Sequence, residues 1–262
     1  MKTTIPQVLR SDSDNGTRRH SLARFATENA VRRQRRVWSA RVASWDQHGS
    51  AGLTKVTAAV LDAAASYDAG AMIVDLGCGT GQLSLPLARQ GAHVLAVDVS
   101  PAMVQRLRSE AQRVGLTQVE GLAMPIEELA LPPESIDLIV SSYALHHLRD
   151  ADKAGLVSAA FRWLRPGGRL IIADMMFGRG GTSRDRAIIR SKVARLAAKG
   201  PAGWWRIAKN AARYLLRVQE RPVSMTAWTS MLERSGFAGV TATTIVAEAG
   251  LVTGYRPGST AP

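Results

Sequence analysis

A short glycine-rich stretch is the part of the sequence best suited to holding a ligand. Gly77, Gly79 and Gly81 follow the apolar run 71–75 and precede a stretch with helical character. Glycine permits a tight turn, and the absence of a Cβ lets a ligand lie against the backbone. Ligands of open α/β sheets bind beyond the carboxyl ends of strands, where this loop is expected to lie. The loop therefore predicts a nucleoside-type ligand.

The spacing of these glycines differs from that of the dinucleotide fingerprint. The fingerprint is Gly-x-Gly-x-x-Gly, whereas here the third glycine comes one residue early and Gln82 occupies the last position. Asp98 ends the next predicted strand, and its carboxylate could accept both hydroxyls of an adenosine ribose. The same carboxylate would suit NAD, and it could instead cap the helix that begins near Pro101.

Candidate proton acceptors follow the predicted strand 136–141. Tyr143, His146 and His147 lie just past its end, on the side of the sheet where the ligand is expected. Histidine can act as a general base near neutral pH, although either histidine could simply cap or pack the start of the following helix. Asp174 ends the predicted strand 169–174 and is expected to face the same cleft, where it would bind substrate or cap a turn.

A parallel sheet would bring these residues together. Strands are predicted at 71–75, 93–97, 118–122, 136–141 and 169–174, and most of them are separated by helical patterns. This alternation is typical of a mostly parallel sheet with helices on both faces. A closing pair at 240–247 and 251–255 completes a seven-stranded, doubly wound, Rossmann-like α/β fold, with a helical cap inserted late in the chain.

The chain divides into regions in this interpretation. Residues 1–27 form a mobile basic segment, and residues 28–66 form N-terminal helices that cover the ligand site. The core comprises residues 67–174 and 223–262. Residues 175–222 form a basic helical cap, the cap segment, with predicted helices at 184–199 and 204–220.

Four ordered motifs resemble the class I S-adenosylmethionine-dependent methyltransferases, most closely the small-molecule enzymes such as those of ubiquinone and menaquinone biosynthesis. The motifs are Val-Asp-Leu-Gly-Cys-Gly-Thr-Gly at 74–81, Val-Asp-Val-Ser-Pro-Ala-Met at 97–103, Leu-His-His-Leu at 145–148 and Leu-Arg-Pro-Gly-Gly-Arg-Leu at 164–170. The resemblance covers residues 40–174, and it implies S-adenosylmethionine as the cofactor.

The resemblance also implies which residues hold the cofactor. The loop from Asp75 to Gly81 would hold the methionine half, and Asp98 would hold the ribose. The full implied set is Asp75, Gly77, Cys78, Gly79, Gly81, Asp98, Val99, Met103, Ala123, Met124 and Ser141. Family members often carry an acidic or amide side chain just before the position of Ala123. This chain has Leu122 there, so one polar contact to adenine is missing.

The same resemblance implies roles in catalysis and substrate binding. His146 takes the position of the base in plant-type O-methyltransferases, where the stretch His-Asp-Trp-Ser-Asp corresponds to residues 146–150. Related enzymes have an aromatic–Asp pair like Trp45-Asp46, so Trp38 and Trp45 could close over the methionine end or only pack a helix. The substrate site is predicted to include Trp38, Trp45, Asp174, Trp204 and Trp205.

The formal charge of +13 is concentrated in two segments. Residues 1–41 contain ten basic against three acidic side chains, residues 182–222 contain eleven against two, and the remainder is slightly acidic. The cap segment could therefore be a solvated face over a buried stripe, a lid that touches an anionic membrane, or a phosphate-binding element for RNA or an anionic metabolite. In the second interpretation Trp204 and Trp205 would face lipid.

Composition limits the remaining function classes. The single cysteine, Cys78, excludes an internal disulfide and a cysteine-based zinc site, and no metal is expected. No apolar run reaches the length of a membrane span, and the first residues lack the apolar core of a secretory signal. A cytoplasmic protein, with peripheral membrane contact left open, is expected.

The sequence thus predicts a methyltransferase acting on an oxygen, nitrogen or carbon centre of a small metabolite, such as a quinone-, lipid- or natural-product-like molecule. An RNA or protein methyltransferase that uses its basic flanks is the first alternative. RNA as the substrate is disfavoured because the sequence has no Asn-Pro-Pro-Tyr-type element and no added RNA-binding module. A cofactor-binding protein without transferase activity is the second alternative.

Overall fold

A seven-stranded sheet organises the residues that the computed structural model describes. These are residues 31–32, 34–40, 42, 51–178, 183–198, 200–201, 204 and 221–258. The strands are β1 (Met72–Leu76), β2 (His93–Asp98), β3 (Val119–Ala123), β4 (Ile136–Ser142), β5 (Leu164–Met175), β6 (Ala238–Val246) and β7 (Ala249–Tyr255). They lie in the order β3-β2-β1-β4-β5-β7-β6.

The first five strands are parallel, and β7 runs antiparallel to both β5 and β6. The predicted seven-stranded, mostly parallel α/β fold is confirmed. The described helices with printed bounds are α1 (Ala51–Ala64), α2 (Ser84–Arg89), α3 (Pro101–Arg113), α4 (Asp150–Trp163), α5 (Ser183–Ala197) and α6 (Met225–Arg234). None of the described helices is long and apolar enough to cross a membrane.

Burial on both faces explains why the central strands read as continuous apolar runs. Every residue of β1 is buried, as expected for a parallel strand covered by helices on both sides. One core cluster contains Val74 and Leu95 and packs with α4 and α6 residues, including Trp228. A second cluster contains Ile73 and packs with α1 residues, including Val60. The carboxyl ends of β1, β2 and β4 therefore meet at one edge, where a ligand site is expected.

Strand β5 begins earlier than the sequence predicts. The sequence predicts a strand at 169–174, but the strand already begins at Leu164 and includes the Arg-Pro-Gly-Gly stretch at 165–168. Ile136 pairs with Leu164 and Leu138 pairs with Arg169, so the extra residues form an irregularity in the ladder. Gly167 accommodates it with a φ of 81°.

Several predicted regions lie wholly or partly outside the described residues. These are the basic segment 1–27, the part of the N-terminal helices that contains Trp45, and the second cap helix except Trp204. The division of the chain into those regions stays a prediction. In the cap segment, α5 is described, with Asp185 and Ile188 buried and Arg186 and Arg190 exposed.

Candidate active site

A cleft opens at the carboxyl edge of the sheet. It encloses about 840 Å³ of space, including the open solvent at its mouth. Its lining comes from the loops after β1, β2 and β4, a 3₁₀ turn after β3, the N-terminal helix and α1. The lining residues are Gln34, Trp38, Leu53, Thr57, Asp75, Gly77, Cys78, Gly79, Gln82, Leu83, Asp98, Val99, Met103, Ile126, Glu127, Ser142, Tyr143, Ala144, His147 and Leu148.

The loop after β1 needs its glycines for two different reasons. Gly77 has a φ of 80°, and a Cβ there would lie 2.1 Å from the Cβ of Ala144, so the loops after β1 and β4 touch at this point. Gly81 has a φ of 100°, and a Cβ there would lie 2.2 Å from the Leu107 side chain in the core. Gly77 and Gly79 thus line the cleft, whereas Gly81 packs inward. Cys78 also lines the cleft, and burial raises the pKa of its thiol well above the usual value.

Asp75 places a carboxylate at the base of the cleft. Its Oδ2 accepts a hydrogen bond from the Ser84 hydroxyl at 2.5 Å, and its Oδ1 has no hydrogen-bond partner among the described residues. Burial raises the pKa of Asp75 to about 7, although the Ser84 hydroxyl lowers it, and nearby Asp98 adds to the rise. A buried carboxylate oxygen without a partner is unfavourable, so the site is suited to a cationic ligand group.

Asp98 is fixed at the end of β2 by backbone groups. Its carboxylate accepts hydrogen bonds from the Gly79 N–H at 3.0 Å and the Ser100 N–H at 2.8 Å. Burial raises the pKa of Asp98, while these two N–H groups lower it. The helix cap of α3 is Ser100, whose hydroxyl accepts from the Met103 N–H. The carboxylate of Asp98 is therefore available to the cleft.

On the side predicted for adenine, the structure places some implied residues in the cleft and others outside it. Val99 and Met103 line the cleft. Ala123 is exposed, and Met124 packs against the core, while Ile126 and Glu127 line the cleft in their place. Burial raises the pKa of Glu127, and Asp152 and Glu128 add to the rise.

The two serines at the end of β4 point to opposite sides of the strand. Ser141, the predicted residue, is buried and its hydroxyl donates to the Leu76 carbonyl at 2.7 Å. Ser142 lines the cleft, and its hydroxyl has no hydrogen-bond partner among the described residues. Adjacent residues of a strand face opposite sides, so Ser142 borders the cleft while the predicted Ser141 faces away from it.

The residues after β4 form an aromatic wall. Tyr143 has a φ of 50°, which is uncommon for a residue other than glycine, and its N–H donates to the Ala173 carbonyl at 2.9 Å. Burial raises the pKa of Tyr143 to about 12, with Glu248 and Asp174 contributing. Its phenol therefore stays protonated at neutral pH. His147 also lines the cleft, and its ring lies 5.3 Å from that of Trp38 in an edge-on arrangement.

His146 lies behind this wall and is paired with a carboxylate. It is 5% exposed, and its ring centroid lies 4.0 Å from that of His147 and 6.5 Å from that of Tyr143. Its Nδ1 is 2.5 Å from Asp174 Oδ1, and its backbone N–H donates to Asp174 Oδ2 at 2.8 Å. Asp174 is buried, which opposes its ionisation, but His146 and two backbone N–H groups outweigh burial and lower its pKa.

Asp174 thus holds His146, a role that the sequence did not predict. The other predicted substrate residues are more scattered. Trp38 lines the cleft, and Trp204 is 61% exposed. Trp45 and Trp205 lie outside the described residues.

The sequence interpretation missed cleft residues whose positions depend on packing. Leu53 and Thr57 come from α1, Gln34 from the N-terminal helix, and Leu148 from the turn before α4. A helical period identifies a buried face but does not say which part of that face borders a cleft. The Gln82 position was noted only for its departure from the dinucleotide fingerprint.

Comparison with known proteins addresses the class of this site. Residues 73–168 match a family model described as a methyltransferase domain. The chain is 40% identical to a ubiquinone biosynthesis O-methyltransferase of Xylella fastidiosa (strain 9a5c) over 107 residues, 40% of this chain and 42% of that protein. It is 31% identical to an uncharacterized methyltransferase of Geobacillus thermodenitrificans (strain NG80-2) over 151 residues, 57% of this chain and 63% of that protein.

The match identifies a methyltransferase domain within residues 73–168 of this chain. The chain spans about half the length of the curated relatives it matches. Its fold is similar to that of the 1,6-didemethyltoxoflavin-N1-methyltransferase of Burkholderia thailandensis, with a TM-score of 0.59, 18% identity and 95% of each chain covered. At that identity the likeness concerns the fold alone.

The residues of the methyltransferase core fit S-adenosylmethionine, the cofactor of this family. The unpartnered oxygen of Asp75 suits the ammonium of the methionine half. The carboxylate of Asp98 at the strand end suits ribose hydroxyls, and the side chains of Val99, Met103 and Ile126 offer apolar contact to adenine. The predicted cofactor is therefore consistent with both the family and the geometry.

Proposed function

We propose that the chain transfers a methyl group from S-adenosylmethionine to a small, lipophilic molecule, at an oxygen, nitrogen or carbon centre that gives up a proton. The observation that carries this proposal is the His146–Asp174 pair behind the wall of the cleft. A general base is needed chiefly where the attacking atom carries a proton that must leave. A hydroxyl group is therefore the favoured acceptor.

The chain's own residues bind and orient the reactants in this proposal. When bound, S-adenosylmethionine supplies a methyl group already activated on a positively charged sulfur. The fixed carboxylate of Asp75 holds the ammonium of its methionine half, and the fixed carboxylate of Asp98 holds its ribose hydroxyls. Positioning of this kind contributes roughly 7–11 kcal/mol to the lowering of a barrier.

His146 accepts the proton in this proposal. A histidine that donates from Nδ1 to a carboxylate keeps Nε2 as a proton acceptor, and the carboxylate stabilises the imidazolium that forms. Asp174 occupies that position at 2.5 Å from Nδ1. The acceptor is placed between Tyr143 and His147, the two cleft residues whose rings contact that of His146.

Two observations support a lipophilic acceptor. Trp38, Leu53 and Leu148 give the cleft an apolar and aromatic wall, and the relative from Xylella is named for a step of ubiquinone biosynthesis. The cap segment fits the same picture, because Arg186 and Arg190 are exposed on α5 and Trp204 is 61% exposed. We include contact with an anionic membrane surface in the proposal.

Transfer from methyl-labelled S-adenosylmethionine to a panel of phenols, amines and carbon acids tests the proposal. We expect labelling of a phenolic acceptor. The substitution His146→Ala should lower turnover by about two orders of magnitude with an unchanged dissociation constant for the cofactor. His93→Ala, at the opposite end of β2 from the cleft, serves as the matched control.

Two outcomes would contradict the proposal. Labelling of RNA or protein, with no small molecule labelled, would favour a polymer-modifying enzyme. Full turnover in the His146→Ala variant would remove His146 from the mechanism.

A further inference from the structure

A lysine buried beneath the loop 146–148 has no part in the chemistry described above. Lys153, in α4, is 0% exposed. Its ammonium group donates to the Leu148 carbonyl at 2.7 Å, the Arg221 carbonyl at 2.7 Å and the Asp150 carboxylate at 3.3 Å. An ammonium has three donors, so these three acceptors use them all. This arrangement explains how a full charge can be buried.

The two carbonyls that Lys153 joins belong to distant parts of the chain. Leu148 lines the cleft and directly follows His146 and His147. Arg221 lies at the carboxyl end of the cap segment, and its own N–H donates to the His146 carbonyl at 2.6 Å. The N–H of Arg221 is therefore bound directly to the loop that carries the two histidines, and its carbonyl is connected to that loop through the Lys153 ammonium.

The sequence around Arg221 favours this double contact. Pro222 follows it, and the residue before a proline is restricted to an extended conformation. An extended residue presents its N–H and C=O to the same side, as in the hydrogen-bonded pairs of an antiparallel ladder. Arg221 can thus bridge His146 and Lys153 through its backbone alone.

We propose that Lys153 is a positioning residue, which clamps the carboxyl end of the cap segment to the loop 146–148 and so fixes His146 against Asp174. The proposal deepens the proposed function, since it rests on His146 acting as the base. Without Lys153, the carbonyls of Leu148 and Arg221 lose their charged donor, and the Arg221–His146 hydrogen bond loses its support. The imidazole would then sample more orientations.

Hydrogen exchange of the Arg221 amide measures the clamp without any acceptor molecule. In the substitution Lys153→Met, which keeps the length of the side chain but removes its donors, we expect that amide to exchange about 10- to 100-fold faster. Amides of β1 and β2 should be unchanged. Lys55→Met, at an exposed position of α1, is the matched control. Unaltered exchange at Arg221 in the folded Lys153→Met protein would overturn the proposal.

The proton between His146 Nδ1 and Asp174 gives a second readout. We expect its NMR resonance to shift or broaden in the Lys153→Met protein, because the His146 backbone is less restrained, and to be unchanged in Lys55→Met. A purely structural lysine would leave the resonance as it is in the unmodified protein, and that result would also overturn the proposal.

The exchange of the Arg221 amide can also be measured against pH in the unmodified protein, so this test does not depend on whether the variant folds. Burial lowers the pKa of Lys153, while Asp150 and Asp174 raise it and Arg221 lowers it further. A neutral amine has two donors for three acceptors. Protection of the Arg221 amide, corrected for intrinsic exchange, should therefore decline at a pH below the usual lysine pKa of about 10.4. Constant protection up to that pH would contradict the clamp.

Calorimetry with S-adenosylmethionine separates this proposal from the one on which it rests. If the unmodified protein fails to bind the cofactor, the proposed function fails, yet the exchange of the Arg221 amide still decides whether Lys153 clamps the loop. If the cofactor binds and the amide is insensitive to Lys153, only the clamp is wrong.

Discussion

Both oxygens of Asp174 contact the same residue, His146. Oδ1 lies 2.5 Å from the imidazole Nδ1, and Oδ2 accepts the backbone N–H at 2.8 Å. The carboxylate therefore fixes the orientation of the ring and the backbone that carries it. Since both side chains are almost fully buried, the pair is shielded from the water that would weaken their interaction.

Replacing Asp174 by asparagine tests what this pair contributes. The amide cannot stabilise an imidazolium, so we expect Asp174→Asn to reduce turnover by about 10²–10⁴-fold and to leave cofactor affinity unchanged. Asp62→Asn, on the exposed side of α1, is the control. Steady-state kinetics with the acceptor identified by labelling gives the measurement. A variant with normal turnover would show that Asp174 has only a structural role.

The carboxylate of Asp75 should make cofactor binding depend on pH. Burial raises its pKa to about 7, so Asp75 becomes protonated as the pH falls through that value. Only the ionised form attracts a cationic ligand. The affinity for S-adenosylmethionine should therefore decrease from about pH 8 to about pH 6, and binding near neutral pH should release a proton.

Calorimetry in buffers of different ionisation enthalpy measures both effects. Asp75→Asn should bind more weakly and lose the dependence on pH, whereas the exposed-site substitution Asp68→Asn should behave as the unmodified protein. An affinity for the cofactor that is independent of pH in the unmodified protein would show that Asp75 does not contact its ammonium.

The inward packing of Gly81, in the loop after β1, can be tested by measuring the stability of a substituted protein. Gly81→Ala combines a left-handed φ with a Cβ that meets Leu107 at 2.2 Å. We expect a loss of roughly 2–4 kcal/mol in the free energy of unfolding. Gly115→Ala, where φ is 73° and no atom lies within 4 Å, should lose only about 1 kcal/mol. Chemical denaturation compares the two.

Cofactor affinity completes that test. Because Gly81 packs towards the core, the folded fraction of Gly81→Ala should keep most of its affinity for S-adenosylmethionine. A normal stability with a lost affinity would mean that Gly81 faces the ligand after all.

Co-sedimentation with liposomes tests the proposed contact between the cap segment and a membrane. We expect binding to vesicles that contain phosphatidylserine, little binding to neutral vesicles, and a decrease at high salt because surface charges are screened. Trp204→Ala should reduce binding, while Trp228→Phe, in the core, should not. Binding that ignores lipid charge and salt would contradict the proposal.

Local patterns predicted the fold and the position of the glycine-rich loop, because each depends on neighbouring residues. Glycines after an apolar strand and an aspartate at the end of the next strand each indicate a ligand site at the carboxyl edge of the sheet. The cleft at that edge contains Gly77, Gly79 and Asp98. The alternation of strands and helices likewise fixed the order of elements from which the parallel sheet follows.

Contacts between residues that are far apart along the chain could not be predicted from the sequence. Asp174 lies 28 residues from His146, and Lys153 lies 68 residues from Arg221. No periodicity connects such pairs. Ser141 was predicted near the cofactor, whereas Ser142 is the serine that borders the cleft, because a shift of one residue in a strand reverses the side that a residue faces.

Calorimetric titration with S-adenosylmethionine shows directly whether the cleft binds this cofactor. We expect saturable one-to-one binding with a dissociation constant in the range of about 1 μM to about 1 mM. Asp98→Ala should weaken that binding by about tenfold or more, because the ribose loses a charged acceptor. No binding to the unmodified protein at a cofactor concentration of several millimolar would contradict the account.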